Sequence, residues 1–477
     1  MIEKNSSISI IGGGIGGLYT AWKMSEKGFN VTIIEQQNFV GGFSSAIIHE
    51  GFKIDIGPHY ITTPKNSELF VELKKLLNAN NILEIPNIHD AYRTCFRGKI
   101  SKKYPTLFET IKNNGKIFAI QGVWDLLFSK ILNFNKKSFL SSEDYLISTY
   151  GNFLYKKWFI PYLHFSFGDN EVPLKTIIDR FPPFSLKKIL SVIKKNNVST
   201  ILEQKIPSNN NQEYIHWYPK FGMGSIVNSL KNKIIENNGK IITGASVLSI
   251  EHKKKIISYS KNNEEFKQNA DIIIYATPLN ITKKWISKEK IKNHNKGKSI
   301  HSIISFIFVD APKVFDGWVI TVYDTDLPFF RIAQQNFLSD HVTPSNKSLL
   351  SVESKVTEGD YLWEISDKEY FKIIEKKLRE SSILSDEKIE GFKNIKIPNL
   401  YSVNSKSNPK EESIKIIKKL NEFKNEFLLG TAELDVGRLA SDDPHDKSHS
   451  KMSLGGIYVA LSNADLLVKQ IISKIQR

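Results

Sequence analysis

Three features of the sequence predict an α/β fold built on a parallel sheet: an apolar strand entering a glycine-rich turn, a helix behind it, and a second strand ending on an acid. Residues 8–35 read ISIIGGGIGGLYTAWKMSEKGFNVTIIE. Ile8, Ile10 and Ile11 lead into Gly12-x-Gly14-x-x-Gly17, and a second apolar run, 31–34, closes on Glu35. Each part has a job in a Rossmann-type unit. Gly12 allows the sharp turn, Gly14 lets a pyrophosphate reach the backbone, and Gly17 brings the helix close to the strand. The N–H groups at the helix start then point at the phosphates. Glu35 stands at the distance from Gly14 that a ribose-binding acid needs, and it accepts hydrogen bonds from ribose hydroxyls. The stretch predicts a bound dinucleotide.

The next residues select the dinucleotide. A nicotinamide-binding unit would go straight into its next helix. Here Gly41-Gly42-Phe43-Ser44-Ser45 follows, a second glycine pair suited to close passage by a ligand, and then GFKIDIGPHY over 51–60. These motifs resemble the FAD superfamily that contains amine oxidases, protoporphyrinogen oxidases, carotenoid desaturases and UDP-galactopyranose mutases. The resemblance implies bound FAD, with Gly41 and Gly42 beside the ribityl–diphosphate and Gly57-Pro58-His59 along the isoalloxazine. It extends through 141–168, similar to a helical substrate segment, and through 218–251, similar to a return into the FAD domain that places Val247 near the adenine. Residues 270–279 resemble the strand that follows, and FLLGTAE, containing Gly430, occupies the place of the last FAD strand. VYDTDLPFFRIAQQNF over 322–337 is similar to a mutase-like segment with Pro, two bulky residues and Arg.

The departures bear on chemistry. Many mutase-like members carry Arg after the glycine where this chain has Gly430-Thr431. They also have an aromatic-Asn-Met-Asp run before the last helix, where this chain reads DDPHDKSHSKMSLGG, and Lys-Trp after the Tyr of the middle segment, where it reads Leu163-His164. The resemblance implies an FAD-dependent oxidoreductase in which a small organic substrate gives a hydride to flavin N5. The alternative is a UDP-galactopyranose mutase-like isomerase that uses reduced FAD on a nucleotide sugar. A flavoprotein that binds without turnover, or a basic interaction protein, is a third class. His59 is the residue expected nearest the isoalloxazine, against a packed histidine in its turn. Arg331 is the candidate for substrate contact, its planar fork suiting a carboxylate or diphosphate, against a structural ion pair. Trp318, Tyr323 and Tyr401 are candidates to line the pocket or the core.

Composition is consistent with this reading. A chain of 477 residues exceeds what one core usually serves, so more than one domain is expected. The expected FAD-binding domain comprises residues 1–80, 213–285 and 425–477, closed at the first break by an amphipathic helix over 67–77. The expected α+β substrate domain comprises 85–210, read as helical (117–134, 186–195) up to the polar linker 206–212, and 290–420. In the latter, strands alternate (301–309, 318–323, 348–352) around a helix at 367–381, and 405–413 reads as a loop.

The formal net charge of +16 raises a nucleic-acid or membrane partner. The excess is dispersed Lys without the clustering that phosphate tracking needs, so no nucleic acid is expected. An anionic substrate is the other reading of the charge, and peripheral membrane contact stays open. No apolar stretch is long enough to cross a bilayer and no secretory leader is read at the N-terminus, so the expectation is cytoplasmic. The single cysteine, Cys95, forbids an intramolecular disulfide and reads as a buried thiol. Gly222-Met223-Gly224 lacks the third glycine of a second dinucleotide site. Gly297-Lys298-Ser299 lacks the first glycine of a P-loop. His445 and His449 among Asp442, Asp443 and Asp446 read as a solvated loop, so no metal is expected.

Overall fold

The computed structural model describes residues 5–96, 98–101, 116–133, 138–167, 213–286, 299–357, 359–402, 409–429 and 456–475, with a few single positions between 136 and 181. Outside these lie Gly430 and Thr431, the 186–195 helix, the 206–212 linker and the His445–His449 cluster.

A five-stranded, all-parallel sheet runs in the order Lys240–Ile242, Asn30–Ile34, Ser7–Ile11, Ile272–Tyr275, Glu426–Leu428. Its central strands are buried on both faces, so they read as continuous Ile and Val rather than alternating. The Rossmann-type unit is therefore assembled from distant segments. One face is covered by helices Ile15–Glu26, Gly224–Glu236 and Gly456–Ile475, whose Leu18, Leu230 and Leu461 enter one core with Ile8 and Ile33. The other face packs against the three-stranded sheet Ala245–Glu251, Ile256–Lys261, Glu264–Asn269 and the helix Pro409–Leu420. The helix expected over 67–77 spans Glu68–Leu77, with the Ser67 hydroxyl accepting from Phe70 N as its N-cap.

A second sheet has seven strands: Ile389–Ser402, Ser299–Val309, Ser348–Thr357, Arg331–Gln334, Val319–Val322, Tyr92–Phe96 and Lys99–Ser101. Helix Asp367–Glu380 covers one face through Tyr370, Ile374 and Leu378. On the opposite face Ile304, Phe306 and Phe308 meet Phe52, Ile54 and Ile56, which belong to the Ala46–His49/Phe52–Asp55 hairpin and its end. That face looks toward the nucleotide unit.

Two expectations change. Tyr92–Phe96 and Lys99–Ser101 are strands inside a region read as helical. Tyr-Arg-Thr-Cys-Phe suits a strand, but its parallel partner is Val319–Val322, a segment far along the chain and invisible to local periodicity. Part of the loop expected over 405–413 is helix, which begins at Pro409. Proline fits a first helical turn, where its missing N–H costs nothing.

Candidate active site

The fingerprint strand, turn and helix close as the spacing predicts. Gly12 has φ +106°, and a Cβ there would stand 2.5 Å from the Ala276 carbonyl oxygen. A Cβ on Gly17 would run into the Gly12 carbonyl. Gly14 differs, because beyond its own chain neighbours no protein atom lies within 4 Å of the Cβ it lacks. Gly14 is also the N-cap of helix Ile15–Glu26, which has no side-chain cap and no acid in its first turn. Open space thus meets uncapped helix N–H groups, an arrangement suited to phosphate.

Glu35 ends the second strand with both carboxylate oxygens held. Oε2 accepts from Gly13 N at 2.6 Å and Oε1 from Gln37 N at 2.8 Å. Each oxygen retains a lone pair for a ribose hydroxyl. The Glu35 carbonyl accepts from Ala245 N at 2.9 Å, which starts the strand carrying half-buried Val247. The second glycine pair lies against the first loop. Gly41 N donates to Gly13 O at 2.7 Å, and a Cβ on Gly42 would stand 3.6 Å from Gly14 Cα. The two glycine loops therefore line one cradle, and a flexible anion with a diphosphate at its centre fits it. FAD is such a molecule.

The Gly57-Pro58-His59 strip is anchored by Asp55, which the sequence reading passed over. The buried Asp55 carboxylate accepts the Tyr218 hydroxyl and Met223 N, the latter at 3.0 Å. Its backbone exchanges hydrogen bonds with the Gln335 amide, 3.0 Å from Asp55 N to Oε1 and 2.9 Å from Nε2 to Asp55 O. Burial pushes the Asp55 carboxyl up to about 6 against the pull of those donors. Gly57 at φ +95° turns the chain so that His59 Nε2 lies 3.0 Å from Ile56 O. Burial, then the nearby Arg331 guanidinium, hold the His59 imidazole below its ordinary range, so it is neutral at pH 7.

His59 and Arg331 thus come together, although they belong to distant parts of the sequence. Arg331 is paired across the sheet with Glu353 and makes a bidentate contact with it, Nε to Oε1 and Nη2 to Oε2, both 2.6 Å. Register puts Thr94, Thr321, Arg331 and Glu353 in one row. Ile304 continues that row, which fixes it on the face toward the nucleotide unit. Lys355 stands two positions along on the same face, its ammonium brought down to about 8 by burial and then by Arg331. Glu353, Lys355 and Thr94 were missed. The available signal was Ser-Val-Glu-Ser-Lys-Val alternating in a strand long enough to be central, where a buried acid needs a partner.

A cavity of about 310 Å³ opens at the end of these strands, lined by Pro161, Tyr323, Leu327, Phe330, Lys355 and Thr357 among others. Tyr323 stacks on Tyr162, which stacks on Trp158 in the neighbouring helical layer. Trp318 is instead core: buried, edge-on to Tyr60 at 5.1 Å and Tyr92 at 5.4 Å. Cys95 is buried, and burial followed by Asp324 pushes its thiol up to about 12, which makes it a poor nucleophile. The Tyr401 side chain lies outside the described residues.

Residues 15–392 match the family described as flavin containing amine oxidoreductase. Among curated proteins, 4,4'-diaponeurosporene oxygenase of Staphylococcus aureus is 25% identical over 300 residues, 61% of this chain and 59% of that protein. A phytoene desaturase of Cercospora nicotianae is 43% identical over 62 residues, 13% of this chain and 10% of that protein. The chain thus spans less than two thirds of the length of either relative. Among solved structures, a reduced UDP-galactopyranose mutase superposes with TM-score 0.70 at 14% identity, covering 98% of this chain and 96% of that one. An Exiguobacterium protein assigned as a protoporphyrinogen oxidase gives 0.66 at 14%, covering 98% of each. These two likenesses speak for the fold. The family match spans most of the sequence and includes the helix of the glycine cradle, and on it this chain belongs to the flavin-containing amine oxidoreductases and is an FAD-dependent enzyme.

Proposed function

We propose that this chain is an oxidoreductase that takes a hydride from a small organic substrate held between the Gly57-Pro58-His59 strip and the polar row of the seven-stranded sheet. FAD, when bound, supplies the two-electron acceptor at N5. Gly12, Gly14, Gly17, Gly41 and Gly42 hold the diphosphate, Glu35 the ribose and Val247 the adenine. Gly430 keeps the FAD-side role implied by its motif. We assign residues 1–80, 213–285 and 425–477 to the FAD-binding domain, and 85–210 with 290–420 to the substrate domain.

One observation carries the reading: Arg331, Glu353, Lys355 and neutral His59 converge on the sheet face that looks toward the nucleotide unit. Glu353 holds the Arg331 fork still, so the guanidinium is a fixed positive edge rather than a mobile clamp. Arg331 and Lys355 both stand on this face beside the Glu353 carboxylate, an arrangement suited to an anionic substituent on the substrate. Neutral His59 orients by hydrogen bonding and does not serve as a strong acid.

The same arrangement would suit a nucleotide-sugar diphosphate, the mutase-like alternative. Against it, the fork that would grip a diphosphate is already engaged by Glu353. Anaerobic addition of candidate substrates separates the two. The oxidoreductase bleaches its own flavin on mixing, with amines and unsaturated or cyclic carboxylates as the first panel. Turnover of a nucleotide sugar only after dithionite reduction, with no bleaching by any organic donor, would replace this reading with the isomerase.

A further inference from the structure

Helix Lys116–Leu132 carries an apolar face that nothing in the site uses. Ile117, Ile120, Trp124, Leu127, Phe128 and Ile131 are 36–74% exposed. At about 100° per residue they fall within one arc of about 100°. The far side is the packed one. Phe118 enters the aromatic core with Tyr145 and Phe159, and the Asp125 carboxylate accepts from Phe153 N at 2.7 Å. A single soluble-protein helix seldom shows water so many large side chains on one face, so the face has an occupant.

Charge selects that occupant. Helix Lys116–Leu132 has Lys116 and Lys130 in its sequence and one acid, Asp125, which is engaged with Phe153 N on the packed side, while Lys136 just beyond it pairs with Asp144 at 2.5 Å. Exposed Lys156 and Lys157 follow Phe153 in the adjoining helical turn. The chain as a whole is at +16, so two copies meeting through this face would repel. An anionic lipid surface answers both features, taking the apolar side chains below its headgroups and the lysines among its phosphates. Trp124 stands mid-helix, where an indole suits the interfacial depth. Among the described residues no helix is long and apolar enough to cross a membrane, so the contact is flat. We propose that helix Lys116–Leu132 docks this enzyme on an anionic bilayer surface. This inference is independent of the substrate assigned above.

The test is co-sedimentation of the FAD-loaded enzyme with phosphatidylcholine vesicles with and without phosphatidylglycerol. The intact protein is expected to pellet with the phosphatidylglycerol vesicles, and less so as salt is raised. The Trp124→Asp/Phe128→Asp variant is expected to partition about tenfold or more weakly, with melting temperature and flavin absorbance unchanged. Failure of the intact protein to pellet, or equal pelleting of the variant, overturns the proposal. So does a dimer in solution that the variant converts to monomer, since a second copy would then cover the face. A melting temperature several degrees lower in the variant also overturns it, because the face would then be packed by the chain itself.

Discussion

Three glycines of one motif have different consequences when given a side chain. At Gly12 and Gly17 a Cβ meets backbone, the Ala276 and Gly12 carbonyls, so substitution disturbs the fold. At Gly14 a side chain meets nothing of the protein beyond its own chain neighbours. Gly14→Val should therefore fold with a near-normal apoprotein melting temperature while losing flavin, and Gly17→Val should fail to accumulate. Flavin absorbance and melting of purified Gly14→Val, with the soluble yield of Gly17→Val, check this, and full FAD retention by Gly14→Val would refute the register of the cradle. Arg331 is coupled to a buried acid. Arg331→Ala leaves Glu353, 2% exposed, without its fork partner, and should cost about 3 kcal/mol of stability. Arg331→Lys keeps the charge but loses the fork. It should cost less stability and still weaken binding of an anionic substrate. Denaturant midpoints and substrate titrations of both variants separate the structural role from the binding one. Unchanged stability in the Ala variant would contradict the ion pair.

At the scale of elements, the last strand of the nucleotide sheet is held by chemistry that depends on pH. Glu426, at the start of Glu426–Leu428, accepts from the Tyr275 hydroxyl at 2.7 Å and pairs with His252 Nδ1 at 2.9 Å. His252 is stacked on Phe423 and bonded through Nε2 to Trp285 O at 2.9 Å. Burial works against its charge, but the bonds to Glu426 and Trp285 prevail and raise its pKa above the ordinary 6.5. The sign follows from linkage. The folded state binds the proton more tightly than the unfolded one, so this stabilisation is complete below the ordinary value. It is lost as pH rises through the higher folded value. Thermal melting from about pH 6 to about pH 9 should show a decline in the intact protein that is shallower in His252→Gln. Identical pH profiles would show that the contact contributes nothing.

For the whole molecule, two sheets of different kind meet at one seam. The hairpin Ala46–His49/Phe52–Asp55 belongs by sequence to the glycine cradle and by packing to the seven-stranded sheet, through Phe52, Ile54 and the Asp55–Gln335 backbone exchange. With FAD on the first sheet and substrate on the second, as proposed, a fixed seam would keep the two in constant geometry. The C-terminal helix Gly456–Ile475 secures the far side. There Lys469 pairs with Asp465 at 3.0 Å and with Glu68 at 3.2 Å, and Tyr19 donates to Glu72 of helix Glu68–Leu77.

The sequence by itself determined the cradle. Gly12, Gly14, Gly17, Glu35 and the Gly41-Gly42 pair lie in one short stretch of chain, where local geometry alone dictates strand, turn and helix. It also showed the helix over Glu68–Leu77 and the strand around Ser299–Val309, whose apolar patterns repeat locally. Tertiary structure alone decided the polar row of the second sheet. Thr94, Thr321, Arg331 and Glu353 form a row only through register across four strands, one of which, carrying Thr94, lies far from the other three in the chain, and local periodicity carries no information about register between strands. It also decided that the Arg331 fork is taken by Glu353, and that Asp55 anchors the His59 turn. A guanidinium or a carboxylate reads the same in sequence whether its partner is a ligand or its own chain, because that choice is made by what the fold brings within about 3 Å.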